Sequence, residues 1–168
     1  MLRIGDVAEE GAVEGLVDLL GDAVEDGASV GFLAPLDREL AAAYWREKIR
    51  EARCGERILL GAWSGERLVG TVQLAFPAQE NGKSRAEVQR LLVHTAARRR
   101  GIGRALMERL EEMGRGDGRK VLFLNTRAGD PPEKLYLGLG YTLIGQIPDF
   151  AMNPDGTLNT TSIMYKQL

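Results

Sequence analysis

The chain has one cysteine, Cys54, and one histidine, His94, among its 168 residues. A lone thiol forms no internal disulfide, and one Cys with one His falls short of a zinc ligand set, so neither staple nor metal is expected. Charge of one sign is missing as well: 22 Lys and Arg stand against 24 Asp and Glu, a formal net charge of -2. A protein built to grip a nucleic-acid backbone carries a basic excess, so no nucleic-acid partner is expected. No apolar run approaches the roughly 18 residues of a membrane-crossing helix. The first residues, MLRIGDVAEEG, lack the basic start and apolar stretch of a signal peptide. The expectation is a cytoplasmic protein with no membrane partner. Internal repeats and low-complexity segments are also lacking. The length suits one domain over residues 1–168 that buries on the order of 70% of its unfolded surface.

Apolar periodicity divides the chain into elements. Leu2 to Val7 alternates as a first strand, and Val13, Leu16, Val17 and Leu20 mark one face of a helix that Gly21 and Gly27 interrupt. A second helix carries Leu40, Ala43, Tyr44, Glu47 and Ile49, begun by Asp37 as N-cap and ending near Gly55. Ile58 to Trp63 and Leu68 to Phe76 form a hairpin about Ser64-Gly65-Glu66, and Ala86 to Val93 follows a turn at Asn81-Gly82. A helix after Gly101 and a strand from Val121 to Asn125 come next. A helix opened by Asp130-Pro131-Pro132 then has Asp as its cap and Pro in its first turn. Strands at Tyr141 to Ile147 and Thr161 to Tyr165 close the order. A mixed sheet with helices on its faces is an α/β or α+β fold.

The stretch with most chemical content is Arg98-x-x-Gly101-x-Gly103. An apolar strand feeds it, and it opens a helix whose apolar positions are Ile102, Leu106, Leu110 and Met113. Backbone N–H groups in the first turn of a helix have no carbonyl four residues back, and the aligned peptide dipoles make that end a site for phosphate oxygens. Glycine lets the backbone approach closely and takes positive φ without strain. A dinucleotide fingerprint wants a third glycine where Leu106 stands, and no Gly-Lys-Ser/Thr follows for a P-loop. The three arginines also read as a solvated basic loop.

Arg98-x-x-Gly101-x-Gly103 after a strand, followed by Leu135-Tyr136-x-x-x-Gly140-Tyr141 in the next helix-strand unit, resembles the GNAT superfamily of acetyl-coenzyme A-dependent N-acetyltransferases. The resemblance implies a GNAT fold: a mixed, mostly antiparallel sheet of about seven strands flanked by about four helices and splayed at the cofactor strand. Gly27-Ala-Ser-Val-Gly-Phe32, Asn81-Gly82, Arg85-Ala-Glu-Val-Gln89, Pro154-Asp-Gly156 and Lys166 are similar, more narrowly, to a member of that family that acetylates a β-lactam amino-acid toxin. In that member an acid is expected near Asn125, so the asparagine is a departure.

The implied cofactor is acetyl-CoA. Its pyrophosphate would meet the backbone of Arg98, Arg99, Arg100, Gly101, Ile102, Gly103 and Arg104, and its pantetheine arm would run along Leu91, Leu92 and Val93 with help from Asn125. Acetyl transfer to an amine needs a neutral amine, stabilisation of the carbonyl oxygen as it turns anionic, and a proton for the leaving thiolate. Glu87 matches the position where the family carries a carboxylate base, although an ion pair with Arg85 accounts for it equally. Tyr136 matches the tyrosine near the sulfur that protonates the thiolate, and also suits packing against Leu135 and Leu139. The oxyanion falls to the backbone N–H of Leu91. Gln89 shares a strand face with Glu87 and would orient the acceptor. The acceptor pocket is expected around the apolar loop Gly27 to Phe32, the helix of Tyr44 and Trp45 and the tail after Pro148, with Phe32 in contact with substrate; Phe32 and Trp45 serve equally well as core. His94 is expected to be solvated and Cys54 a bystander.

The function expected is transfer of acetyl from acetyl-CoA to the primary amine of a small molecule, with an amino acid-like toxin or antibiotic as candidate, by a chain acting as monomer or homodimer. The alternatives are a protein or peptide N-acetyltransferase, and an acetyl-CoA-binding module without catalysis.

Overall fold

The computed structural model describes residues 2–7 and 10–168. In chain order the elements are β1 (Leu2–Asp6), α1 (Val13–Glu25), α2 (Arg38–Arg53), β2 (Arg57–Ser64), β3 (Arg67–Ala75), β4 (Arg85–Val93), α3 (Ile102–Gly116), β5 (Val121–Arg127), α4 (Pro131–Gly138), β6 (Thr142–Met152) and β7 (Leu158–Gln167). The seven strands form one sheet in the order β1-β2-β3-β4-β5-β7-β6. Every pairing is antiparallel except β4 with β5. This is the expected GNAT architecture. Among the described residues no helix is long and apolar enough to cross a membrane.

Alternation along the inner strands sends side chains into two cores, one on each face of the sheet. Leu60, Val72, Leu74, Leu122 and Leu124 meet Leu106, Met107 and Leu110 of α3 and Tyr136 of α4. Leu59 and Leu92 meet Leu16, Leu19 and Leu20 of α1 and Trp45 and Ile49 of α2 on the other face. Trp45 is fully buried, which settles it as core. Asp37 caps α2 as its sequence indicates, its Oδ1 accepting from the N–H groups of Glu39 and Leu40, each at 3.0 Å.

The sequence reading errs at three places. Gly21 does not interrupt α1, which runs through to Glu25. A Cβ there would stand 3.6 Å from Leu36, an ordinary contact, and the break comes only at Gly27, whose φ is +81°. Asp130 occupies the N-cap position of α4 without making a cap bond, because its carboxylate is taken by Arg127 Nε at 2.7 Å. β6 starts at Thr142 and continues past Pro148 and Asp149 to Met152, since an irregularity between Ile147 and Ala151 absorbs them without ending the pairing.

Candidate active site

β4 and β5 pair over three positions only, Arg85 with Val121, Ala86 with Leu122 and Glu87 with Phe123, and then part. The gap they leave is a cleft of about 850 Å³ floored by Glu87 to Val93 and walled by the start of α3, the end of β5 and α4. Opposite Val72 of β3, β4 holds two residues, Arg90 and Leu91, because the register passes from Thr71 with Leu92 to Gln73 with Gln89. That bulge puts Arg90 at φ +51°, and bulges re-aim side chains beside functional sites. Past the bulge, the His94 N–H donates to Val69 of β3, so strand alternation turns the peptide groups of Val93 and Leu91 to the open side.

One end of the cleft is the glycine turn. Ala105 is the residue whose N–H reaches back to Gly101 O, at 3.0 Å, so the N–H groups before it in α3 have no carbonyl of the helix to meet. Gly101 takes φ +78° and Arg99 φ +62° to make the turn. Gly103 serves differently: a Cβ there would lie 3.3 Å from Leu135 Cδ2, 3.7 Å from Val93 Cγ2 and 4.0 Å from Leu91 Cδ2, all cleft-lining residues. The Arg98 side chain does not point into the turn. Its Nη1 pairs with Asp26 at 2.5 Å and its Nε donates to Val93 O at 3.1 Å. Val93 O therefore already accepts one hydrogen bond and has one lone pair left. Arg100 is exposed and is not among the cleft-lining residues, whereas Arg99, Ile102 and Arg104 are. Leu92 borders the cleft, but its side chain is 4% exposed and belongs to the core beneath α1 and α2.

The other end of the cleft is polar. Glu87 is half-buried, and its Oε2 accepts from Gln89 Nε2 at 2.8 Å. Gln89 Oε1 in turn accepts from Arg57 Nη1 at 3.1 Å. The Gln89 amide thus spends one N–H on Glu87 and one acceptor position on Arg57, which ties Glu87 to the Arg57 network and leaves its second N–H unassigned. Arg57, 7% exposed, also donates to Gln73 Oε1 at 2.5 Å and to Glu51 Oε2 at 2.6 Å, and Lys48 Nζ meets Glu51 Oε1 at 2.5 Å. Burial works against the Glu51 charge, but the hydrogen bonds from Lys48 and Arg57 outweigh it and hold the carboxyl below its usual range. Gln73 Nε2 donates to Tyr44 Oη at 3.2 Å, which brings α2 into the same network.

Tyr136 lies in α4 on the opposite wall, 6% exposed, with its ring centroid 5.6 Å from that of Tyr141. Burial pushes its phenol well above the ordinary tyrosine value, so the hydroxyl stays protonated across the physiological range. Asn125, exposed on β5, faces the same cleft. Phe32 is not among the cleft-lining residues; it packs edge-on to Tyr44 at 5.4 Å, so the aromatic that lines the cleft there is Tyr44. His94 is not solvated. Its side chain is 19% exposed, its Nδ1 accepts from the Ala96 N–H at 3.2 Å, and its Nε2 lies 2.7 Å from Arg67 and 3.6 Å from Asp22, away from the cleft. Cys54 is exposed at the end of α2, 3.8 Å from Arg50 Nη1.

Reasoning from sequence missed Arg90 and Arg127, which also line the cleft. Arg127 Nη1 donates to Gly27 O at 2.9 Å and to Asn153 Oδ1 at 2.8 Å, tying the end of β5 to the loop after α1 and to the β6–β7 turn. The pre-proline run Arg127 to Asp130 was the available signal for Arg127; for Arg90 the alternation of the strand pointed away from the cleft, and only the bulge reverses it.

A strand, glycine turn and helix at a splayed sheet, with a carboxylate on one wall and a buried phenol on the other, define an acyltransferase of the GNAT type. Residues 19–141 match the acetyltransferase (GNAT) family, and the chain belongs to that family. An uncharacterised N-acetyltransferase from the hisH-hisA intergenic region of Azospirillum brasilense is 33% identical over 125 residues, 73% of this chain and 72% of that protein. The ribosomal-protein-alanine N-acetyltransferase of Brucella melitensis superposes with a TM-score of 0.82 at 24% identity, covering 100% of this chain and 99% of that one. A GNAT phosphinothricin acetyltransferase from Sinorhizobium meliloti, solved in complex with acetyl-CoA, gives 0.83 at 16% identity, covering 99% and 88%. Family membership makes acetyl-CoA the cofactor. The residues present fit it: free N–H groups at the start of α3, no side chain at Gly103 to obstruct them, and an open strand edge leading from there to Glu87.

Proposed function

We propose that this protein transfers acetyl from acetyl-CoA directly to the primary amine of a small molecule, with Glu87 and Tyr136 as its catalytic residues. The observation that carries the reading is that Glu87 on β4 and Tyr136 on α4 both line the cleft that also receives the α3 N-terminus. The N–H groups of Gly101, Ile102, Gly103 and Arg104, with Arg99 and Arg100 on the solvent side, hold the pyrophosphate. Leu91 and Val93 pair with the pantetheine arm, and Asn125 flanks it from β5.

Bound acetyl-CoA supplies an activated thioester carbonyl. Glu87 takes the proton of the acceptor ammonium; Gln89 occupies its Oε2 and so leaves Oε1 for the amine. The Leu91 N–H, set on the open side of β4 by the bulge, faces the carbonyl oxygen as negative charge builds on it. The Tyr136 hydroxyl delivers its proton to the departing sulfur, a role suited to a phenol that burial keeps protonated. Cys54, exposed and outside the cleft lining, takes no part.

Half-buried side chains, Glu87, Gln89 and Arg90, line the acceptor end, which suits a small molecule better than a peptide. The likeness of Gly27 to Phe32, Arg85 to Gln89 and Pro154 to Gly156 to the tabtoxin resistance protein supports an amino acid-like toxin as acceptor. Steady-state turnover of acetyl-CoA against a panel of amino acids, β-lactam amino acids, aminoglycosides and N-terminal peptides tests this. Saturable acetylation of free small amines is expected. Turnover with peptides alone, or tight acetyl-CoA binding without turnover of any amine, overturns it.

A further inference from the structure

Arg90 sits in the cleft without an anionic partner. The other shielded cations of the lining each have a carboxylate close by: Lys48 has Glu51 at 2.5 Å, Arg57 has Glu51 at 2.6 Å and Arg127 has Asp130 at 2.7 Å. Among the described residues Arg90 makes no ion pair, it is half-buried, and its Nε is buried with no hydrogen-bond partner. A shielded guanidinium left unpaired is costly, and such a group in a native cleft calls for a partner that arrives with the ligand.

The side chain is nevertheless held in place. The bulge at Arg90 turns it toward the α1–α2 side, where its guanidinium carbon lies 5.6 Å from the Tyr44 ring centroid. Gly31, at φ +80°, makes room for it: a Cβ there would fall 2.6 Å from Arg90 Nη2. Arg90 is thus braced by the acceptor-side loop and helix and not by the glycine turn that takes the pyrophosphate. Glu87 and Arg90 are three residues apart on one strand, at most about 10 Å between α-carbons. Both border the same cleft. Lys48, Arg57 and Arg90 against Glu51 and Glu87 leave that end with one uncompensated positive charge.

We infer that Arg90 is a specificity-determining residue that binds a free carboxylate of the acceptor, and that the acceptor is an amino acid or close analogue whose amine meets Glu87 while its carboxylate meets Arg90. The inference rests on the small-amine reading above and adds the group that selects among small amines. A planar guanidinium matches a carboxylate through two parallel charge-assisted hydrogen bonds, which a neutral carboxamide does not reproduce.

The test compares kcat/KM, at saturating acetyl-CoA, for amino acids of the panel and for their carboxamides, in the wild type, Arg90→Gln and Arg90→Lys. The wild type is expected to prefer acid over amide by about tenfold or more, in line with the loss of one charge-assisted contact. Arg90→Gln should erase the preference through the acids alone, leaving amide kcat/KM within about threefold, and Arg90→Lys should keep part of it. Equal use of acid and amide by the wild type, or a preference that survives in Arg90→Gln, overturns the inference while the small-amine reading stands. Failure of every free amine, acid or amide, with peptides turned over instead, overturns both. If Arg90→Gln does not fold, acid against amide in the wild type and in Arg90→Lys still decides.

Discussion

Gly101 and Gly103 lie two residues apart in one turn, yet an added methyl should act on them in opposite ways. At Gly103 the new Cβ meets Leu135 Cδ2 at 3.3 Å, the movable end of a flexible side chain, and φ is in the ordinary range. Alanine is a better helix former than glycine by up to about 1 kcal/mol, so Gly103→Ala should fold with equal or higher thermal stability. The methyl, however, projects among Leu135, Val93 and Leu91, into the space beside the free N–H groups. Loss of one or two charge-assisted hydrogen bonds to phosphate, about 1.5–3 kcal/mol, would weaken acetyl-CoA binding by roughly 10- to 150-fold. At Gly101 nothing lies within 4 Å of a Cβ, but φ is +78°, so Gly101→Ala costs about 1–2 kcal/mol in backbone strain. For a chain of this size that is a drop of about 2–8 °C in Tm. Titration calorimetry with coenzyme A and thermal melts on both variants separate the two effects. Unchanged affinity in Gly103→Ala, or an affinity loss matched by an equal loss of stability, refutes the reasoning.

Glu87→Gln and Tyr136→Phe should each lower kcat by about 10²-fold with acetyl-CoA affinity near wild type; unchanged turnover in both removes their assigned roles. Burial raises the phenols of Tyr136 and Tyr141, the latter also beside Glu111, so folding favours their neutral forms. The stability they lend is complete below the unfolded tyrosine value of about 10 and is lost as pH rises beyond it, so melts from about pH 8 to 11 should show a decline that Tyr141→Phe flattens. An identical alkaline slope in the variant counts against that sign. Lys166 Nζ meets Glu111 Oε2 at 2.6 Å, and the Glu111 side chain is 5% exposed. Lys166→Met leaves a buried carboxylate whose remaining ion pair among the described residues is Arg115, at 3.8 Å, and should cost about 3 kcal/mol by urea unfolding, most of it restored when Glu111 is also made apolar. A loss under about 0.5 kcal/mol would show the pair to be as weak as an exposed one.

The hairpin β2–β3, the Asp37 cap and the Gly101 turn were all legible because each rests on local chemistry: period-two alternation, an Asx acceptor and a glycine-bearing helix start. Glu87 and Tyr136 are candidates through the family resemblance, and the structure brings them to one cleft. What escaped depends on tertiary pairing. Asp130 looks like a cap until Arg127 claims its carboxylate, and Gly21 looks like a break until packing of α1 against the sheet carries the helix through it. The contact of Gln89 with Arg57, 32 residues upstream, is equally invisible from local pattern. Arg90 was invisible because strand alternation assigns it to the wrong face, and a bulge can be recognised only from the register of β3 against β4. His94 reads as a solvated side chain from the sequence because its partners, Arg67 and Asp22, are remote in sequence.

The central claim is direct transfer of acetyl from acetyl-CoA to a small amine within the splayed cleft. Incubation of the intact protein with acetyl-CoA labelled in the acetyl group and with the amine panel, followed by mass spectrometry of small molecules and protein together, tests it in one measurement. Label is expected on the nitrogen of a free amino acid or its analogue, with none retained on the protein and with loss of that product in Glu87→Gln. Label lodged on the protein itself, at Cys54 or elsewhere, or transfer undiminished in Glu87→Gln, would contradict it.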